Sequence, residues 1–337
     1  MPSFAKPGSI SRNSDMPEFK NVLREFAQDI KRNFRSRIAT QPEDQLKPGV
    51  QRVLQAAARQ IQTRTEAHAA DVRSPVFFMH IMKTGGTALG TALAHLNDGA
   101  DAGASVTGIF LDQFVLRDPR QWGEVGFVTG HLPWEARELL PPATRTLTVC
   151  RDPVDRSLSH YWQLSTNPDV QAESPGFTLE EYVESPRWNT LCRDYQARQL
   201  AHRVDLANAG KSYAPAERFA SLGPPFPPEH QYPLQSLFDC SPLALTGDDL
   251  ERVALRSLSE IEFVGVTEHL DALYREVAER VWSVDDPPVL ERENPSHDRP
   301  RRATVSVELV RRIEEMTVVD HALYEEARRR APRGRGA

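Results

Sequence analysis

An α/β fold, with a central and mostly parallel sheet, helices on both faces and a helical extension in front, is what this sequence predicts. Three observations carry the prediction. The pattern of a short apolar run followed by a loop or helix recurs four times between residues 75 and 282, and near-continuous apolar runs are the mark of strands buried on both faces. The stretch PVFFMHIMKTGGTALGTALAHL from Pro75 reads as strand, Gly-containing turn and helix, the layout of a nucleotide site. Finally, 337 residues with 39% hydrophobic side chains can bury a core without disulfides or metals.

Taken in order, residues 1 to 15 are polar. From Pro17, Phe19, Val22, Leu23, Phe26, Ile30 and Phe34 recur at three and four, with Asp15 as a cap, which describes an amphipathic helix. An Ala- and Gln-rich helix is expected over 49–70, and these two helices make residues 1–70 an extension that docks on the core or on another copy of the chain. The main domain is expected over 71–330. In it the first strand starts at Pro75, a second lies in GFVTGHLPW and ends at His131, and a third lies in RTLTVC and leads at Arg151 into a helix. The fourth opens FVGVTEHLDALYREVAERV. Helices are expected at 177–185 and 188–203, loops at LGPPFPPEHQYP and ENPSHDRPRR, and two helices in VSVELVRRIEEMTVVDHALYEEARRR. The basic end, RRRAPRGRGA, reads as a frayed tail, with 331–337 outside the domain.

Composition narrows the function classes. With 47 Asp and Glu against 41 Lys and Arg the formal net charge is -6, so nothing global favours nucleic acid or an anionic membrane. Only six of the 41 basic residues are Lys, which draws attention to any Lys in an unusual setting. The three cysteines, Cys150, Cys192 and Cys240, are too scattered for a disulfide scaffold or a zinc site, and no metal is expected. No apolar leader opens the sequence and no stretch approaches the ~18 apolar residues of a membrane span. The expectation is a soluble, cytoplasmic protein.

Two motifs carry chemistry. In HIMKTGGTAL, from His80 to Leu89, a helix N-terminus offers unpaired amides, Gly85 and Gly86 allow close approach, Lys83 adds an ammonium, and Thr84 and Thr87 add hydroxyls. That suits a phosphate or a group of similar charge. Lys83 precedes the glycines, so the spacing is not that of the GxxxxGK[ST] ATP loop. In CRDPVDRSLSHYW, Arg151 at a strand end can clamp a second phosphate, with Ser159 on the following helix completing the shell. Alternatively Asp152 and Asp155 tie Arg151 or Arg156 into an ion pair. Arg156 itself faces either the second phosphate or solvent, and His160 packs or lies at the surface.

Together the two motifs resemble the sulfotransferase family that uses 3'-phosphoadenylyl sulfate (PAPS), in the branch of the heparan and chondroitin 2-O-sulfotransferases and their bacterial relatives. The resemblance covers about 75–327 and includes FVGVTEHLDALYREV and DHALYEEA. It implies a P-loop-like three-layer fold, PAPS as cofactor and PAP as product. It makes Lys83, Thr84, Gly85, Gly86, Thr87 and Ala88 the 5'-phosphosulfate loop, and Arg151 with Ser159 the 3'-phosphate site. Gly130-His131 matches the branch's Gly-His element, which makes His131 the base; a neutral imidazole of pKa about 6.5 suits that task at neutral pH. Lys83 is expected to stabilise charge on the departing phosphate. His80 is expected to order the loop. Asn189, Thr190 and Arg193 are possible acceptor contacts, and Arg299, Arg301 and Arg302 possible phosphate contacts. The expected reaction is transfer of a sulfuryl group to a hydroxyl of a carbohydrate or small molecule. The rival readings are an ATP-dependent phosphotransferase and a non-enzymatic nucleotide-binding scaffold.

Overall fold

The computed structural model describes residues 75–109, 114, 119–185, 188–201, 245, 247–291 and 299–333. The helices expected over 15–70, the loop expected within 204–244 and Cys240 lie outside the described residues. Among the described residues five strands form one all-parallel sheet: β1 Val76–Met79, β2 Ala104–Val106, β3 Val125–Gly130, β4 Arg145–Cys150 and β5 Phe263–Val266, in the order β2-β3-β1-β4-β5. The chain leaves the central β1 toward β2 and β3 and later crosses to β4 on its other side. This reversal puts a crevice at the carboxyl end of β1, where open parallel sheets bind ligands.

β1 reads VFFM with every residue buried, because both of its faces are covered. Val76 and Phe78 pack with Phe127, Leu147, Val149 and Phe263 beneath helix α1 (Gly86–Gly99). Phe77 and Met79 turn to the opposite cluster, which holds Val128, Cys150 and Val266. On that second face lie α2 (Pro153–Ser165), α3 (Pro168–Glu173), α4 (Leu179–Glu184), α5 (Tyr195–Ala201) and α6 (Gly247–Glu260). Helix α7 (Leu270–Trp282) joins α1 on the first face, while α8 (Val307–Met316) and α9 (Val318–Arg330) complete the second. Helix, sheet and helix thus make three layers, and each fully buried Phe of β1 contributes about 1.5–3 kcal/mol by leaving water. Among the described residues no helix is long and apolar enough to cross a membrane.

Several expectations change. The edge strand β2 went unforeseen: it has three residues, none of them buried, and so lacks the apolar run of a central strand. The helix expected over 188–203 is broken. A 3-10 turn at Asn189–Leu191 is followed by Asp194 at φ 42, and α5 starts only at Tyr195. The break is held by reciprocal caps. Asp194 Oδ1 accepts from the amides of Val319 (2.9 Å) and Asp320 (3.1 Å), and the buried Asp320 carboxylate accepts from those of Gln196 (3.2 Å) and Ala197 (2.7 Å). At the C-terminus the frayed reading of RRRA is corrected, because Arg330 donates to the carbonyls of Leu258 and Ile261 and Ala331 is buried.

Candidate active site

The Lys83 loop joins β1 to α1. Two of its residues take the left-handed conformation, Lys83 at φ 71 and Gly85 at φ 82. For Gly85 this is unstrained, whereas for a lysine it costs about 1–3 kcal/mol and marks a backbone held by its surroundings. At Gly86 any side chain is excluded, since a Cβ there would come within 2.1 Å of the His80 ring. His80 therefore acts as a wedge under the start of α1. Its imidazole is kept neutral, burial and then the neighbouring His131 and Lys83 holding it well below its ordinary range.

What holds the loop is visible in its carbonyls. Five consecutive ones, from His80 to Thr84, each accept a side-chain hydrogen bond. His131 Nδ1 donates to His80 at 2.9 Å, Thr84 Oγ1 to Ile81 at 2.8 Å and Arg156 Nε to Met82 at 3.4 Å. Arg151 Nη1 donates to Lys83 at 3.0 Å and Thr267 Oγ1 to Thr84 at 2.8 Å. Three of these donors, His131, Arg151 and Thr267, are the first residues beyond β3, β4 and β5. By contrast, the amides of Met82, Lys83, Thr84 and Gly85 donate to no acceptor among the described residues. With the first amides of α1, which have no partner inside a helix, they leave a run of N–H donors without acceptors. Consecutive amides in a turn that mixes left- and right-handed residues form an anion-binding concavity.

Charge accumulates around the loop. Burial first, and then Arg151, Arg156 and Arg299, lowers Lys83 from 10.5 to about 8. Burial and Arg299 lower Arg151 to about 10, against the opposing pull of Asp155, Glu268 and Asp152. Among the described residues none of Lys83, Arg151, Arg156 or Arg299 has a carboxylate within ion-pair distance. The ion pairs weighed for Asp152 and Asp155 are thus absent there. Asp152 instead caps α2, accepting from the Asp155 amide at 2.9 Å. A cluster of cations with no described carboxylate in direct contact is electrostatically under-compensated and favours an anionic ligand.

Each candidate residue can now be placed. Thr84 is fully buried and its hydroxyl is used within the loop, so it offers a ligand only its amide. Thr87 is exposed and Ala88 half-buried on the first turn of α1. Arg151 reaches the Lys83 loop directly, and its backbone is clamped by Gln196, whose Oε1 accepts from the Arg151 amide and whose Nε2 donates to its carbonyl, both at 2.9 Å. Ser159 is buried on α2, and Arg299 Nη1 lies 3.4 Å from its hydroxyl. Arg299 thereby links Ser159 to the cluster, while Arg302 pairs with Glu314 away from it. Arg156 does not face solvent; it lies behind the Lys83 loop, donating to Met82 O. It is fully buried, donates to Leu191 O at 2.6 Å and stacks on Tyr195 at 4.2 Å. His160 packs beside it, with burial and Arg156 holding it neutral. Of the acceptor candidates, Asn189 is half-buried and Arg193 exposed.

His131 stands at the end of β3 with its ring 4.5 Å from that of His80. A carbonyl cannot donate, so the bond to His80 O puts the proton on Nδ1 and the lone pair of the neutral ring on Nε2. Burial, and more weakly Lys83, hold the ring below its ordinary pKa despite the His80 carbonyl, so it is neutral at pH 7. Orientation and protonation state are both those of a general base. Gln196 and Thr267 were missed by sequence reasoning. No family model matches the chain, and no curated protein matches it at a significant level.

Proposed function

We propose that the chain is a PAPS-dependent O-sulfotransferase with a P-loop-like cofactor site, acting on a hydroxyl of a carbohydrate or small molecule and releasing PAP. The observation that carries this reading is the Lys83 loop, with five carbonyls engaged and, among the described residues, the amides of 82–85 without an acceptor and the four neighbouring cations without a carboxylate in ion-pair contact. Two anion positions fit a doubly phosphorylated nucleotide. The loop would hold the 5'-phosphosulfate, and Arg151 with Ser159, aided by Arg299, the 3'-phosphate. When bound, PAPS supplies a sulfuryl group activated by a phosphate leaving group. Lys83 would neutralise charge growing on that phosphate, an interaction stronger in the transition state than before it. His131 Nε2 would take the proton of the attacking hydroxyl, worth about 10²–10⁴ in rate. Lys83 would also feel the bound phosphates, which raise its depressed pKa and keep it charged.

Calorimetric titration with PAP, ATP and ADP, with and without magnesium, tests the reading. Magnesium-independent binding selective for PAP is expected. Magnesium-dependent ATP binding with no preference for PAP would replace it with a phosphotransferase.

A further inference from the structure

We infer that Thr267 is a positioning residue whose hydroxyl sets the spacing between the Lys83 loop and the Arg151 loop. Thr267 follows β5, two strands away from β1; it is uncharged and lies in the FVGVTEHLDALYREV segment without being one of the candidate site residues. Its Oγ1 lies 2.8 Å from the carbonyl of Thr84 and 3.3 Å from that of Cys150. Thr84 follows Lys83, and Cys150 is the last residue of β4 and precedes Arg151. One hydroxyl proton is therefore shared between the two segments that carry the candidate anion contacts. The methyl group of the same side chain lies beside Gly85, where an added Cβ would meet Leu270 Cδ1 at 2.8 Å and Thr267 Cγ2 at 3.6 Å. The side chain thus grips one loop through its amide plane and the other through its strand end.

Thr267 separates geometry from charge. Of the five donors to the loop, His131, Arg151 and Arg156 carry or can acquire charge, and Thr84 belongs to the loop itself. Thr267 is neutral, half-buried and outside the set of ligand contacts, so its loss moves the loop without removing a cation. Thr267→Val keeps the shape and deletes the proton, leaving two carbonyls without this donor, whereas Thr267→Ser keeps the proton.

The inference rests on the sulfotransferase reading only for the identity of the probe. Parent, Thr267→Val and Thr267→Ser chains are titrated with PAP, and the backbone amide chemical shifts of 82–87 and 150–152 are compared in the ligand-free proteins. Thr267→Val is expected to weaken PAP about tenfold, the scale of one net hydrogen bond, and to move the amide shifts of both segments. Thr267→Ser is expected to stay within about threefold of the parent in affinity and to keep parent-like shifts, which a general loss of stability would not do. Parent-like affinity and shifts in Thr267→Val overturn the assignment. A parent that ignores PAP overturns the cofactor reading instead, and the shift comparison still decides the role of Thr267.

Discussion

The Lys83 loop and the Arg151 loop lie at the same end of the sheet, yet they present opposite parts of the chain. Between 80 and 84 side chains, most of them from distant residues, hold the carbonyls, and the backbone amides of 82–85 have no acceptor among the described residues. At 151–159 more of the backbone is engaged. Gln196 takes both polar groups of Arg151, Asp152 accepts from the Asp155 amide and Pro153, which has no N–H, begins α2, so the side chains of Arg151 and Ser159 are the main groups left to meet a ligand. One loop is a backbone site built by remote side chains, and the other a side-chain site built on a locked backbone. Substitutions within the first should therefore affect chemistry and loop shape, whereas those in the second should act mainly on affinity.

The largest effect is expected at Lys83. Lys83→Ala should lower turnover by about 10²–10³ while PAP affinity falls much less, because the open amides remain. Steady-state kinetics and PAP titration on the same variant check this, and equal losses in both would break the contrast between the loops. Arg151→Ala comes next. Loss of a charge-assisted contact worth about 1.5–3 kcal/mol predicts PAP binding weaker by about ten- to a hundredfold. Its effect on turnover at saturating PAPS should be smaller than that of Lys83→Ala.

The pH profile sharpens the comparison. Lys83 is depressed to about 8, so the free protein loses this cation as pH rises through that value, and kcat/KM should fall on the alkaline side. His131 lies below its ordinary value, so the acid limb should appear only below about pH 6.5. Lys83→Arg should move the alkaline limb upward, since a guanidinium stays charged there. An unmoved limb would assign it to another group. For stability the sign is reversed. The unfolded chain holds the Lys83 proton more tightly than the folded one, so this group's contribution rises as pH climbs from about 8 toward 10.5. The smallest effect is expected at Asp152. Asp152→Ala removes a cap worth about 1 kcal/mol, which thermal unfolding would register, with PAP affinity changed less than by Arg151→Ala.

The legible part of this protein was local. Strands β1, β3, β4 and β5 announced themselves as apolar runs, and the Gly85-Gly86 turn, Lys83, Arg151 and Ser159 fell within two short motifs. What holds those motifs in place was not legible, because it joins residues far apart in sequence. Thr267 reaches Thr84, Gln196 reaches Arg151, and Arg156 reaches Met82 across the fold. A neutral Thr or Gln in an ordinary helix or strand end carries no periodic signal of such a bond. Arg156 misled for a related reason: sequence placed it beside the anion motif but could not show that its guanidinium is fully buried against carbonyls. Asp194 broke an expected helix because its partner, Asp320, lies in another helix altogether.

The central claim is that the amides of 82–85 form the anion site of a PAP-binding pocket. Hydrogen exchange of those amides, measured with and without PAP, tests it most directly. Strong protection at 82–87, with weaker changes around 151–159, is the predicted result. PAP binding that leaves 82–87 unprotected would contradict the account.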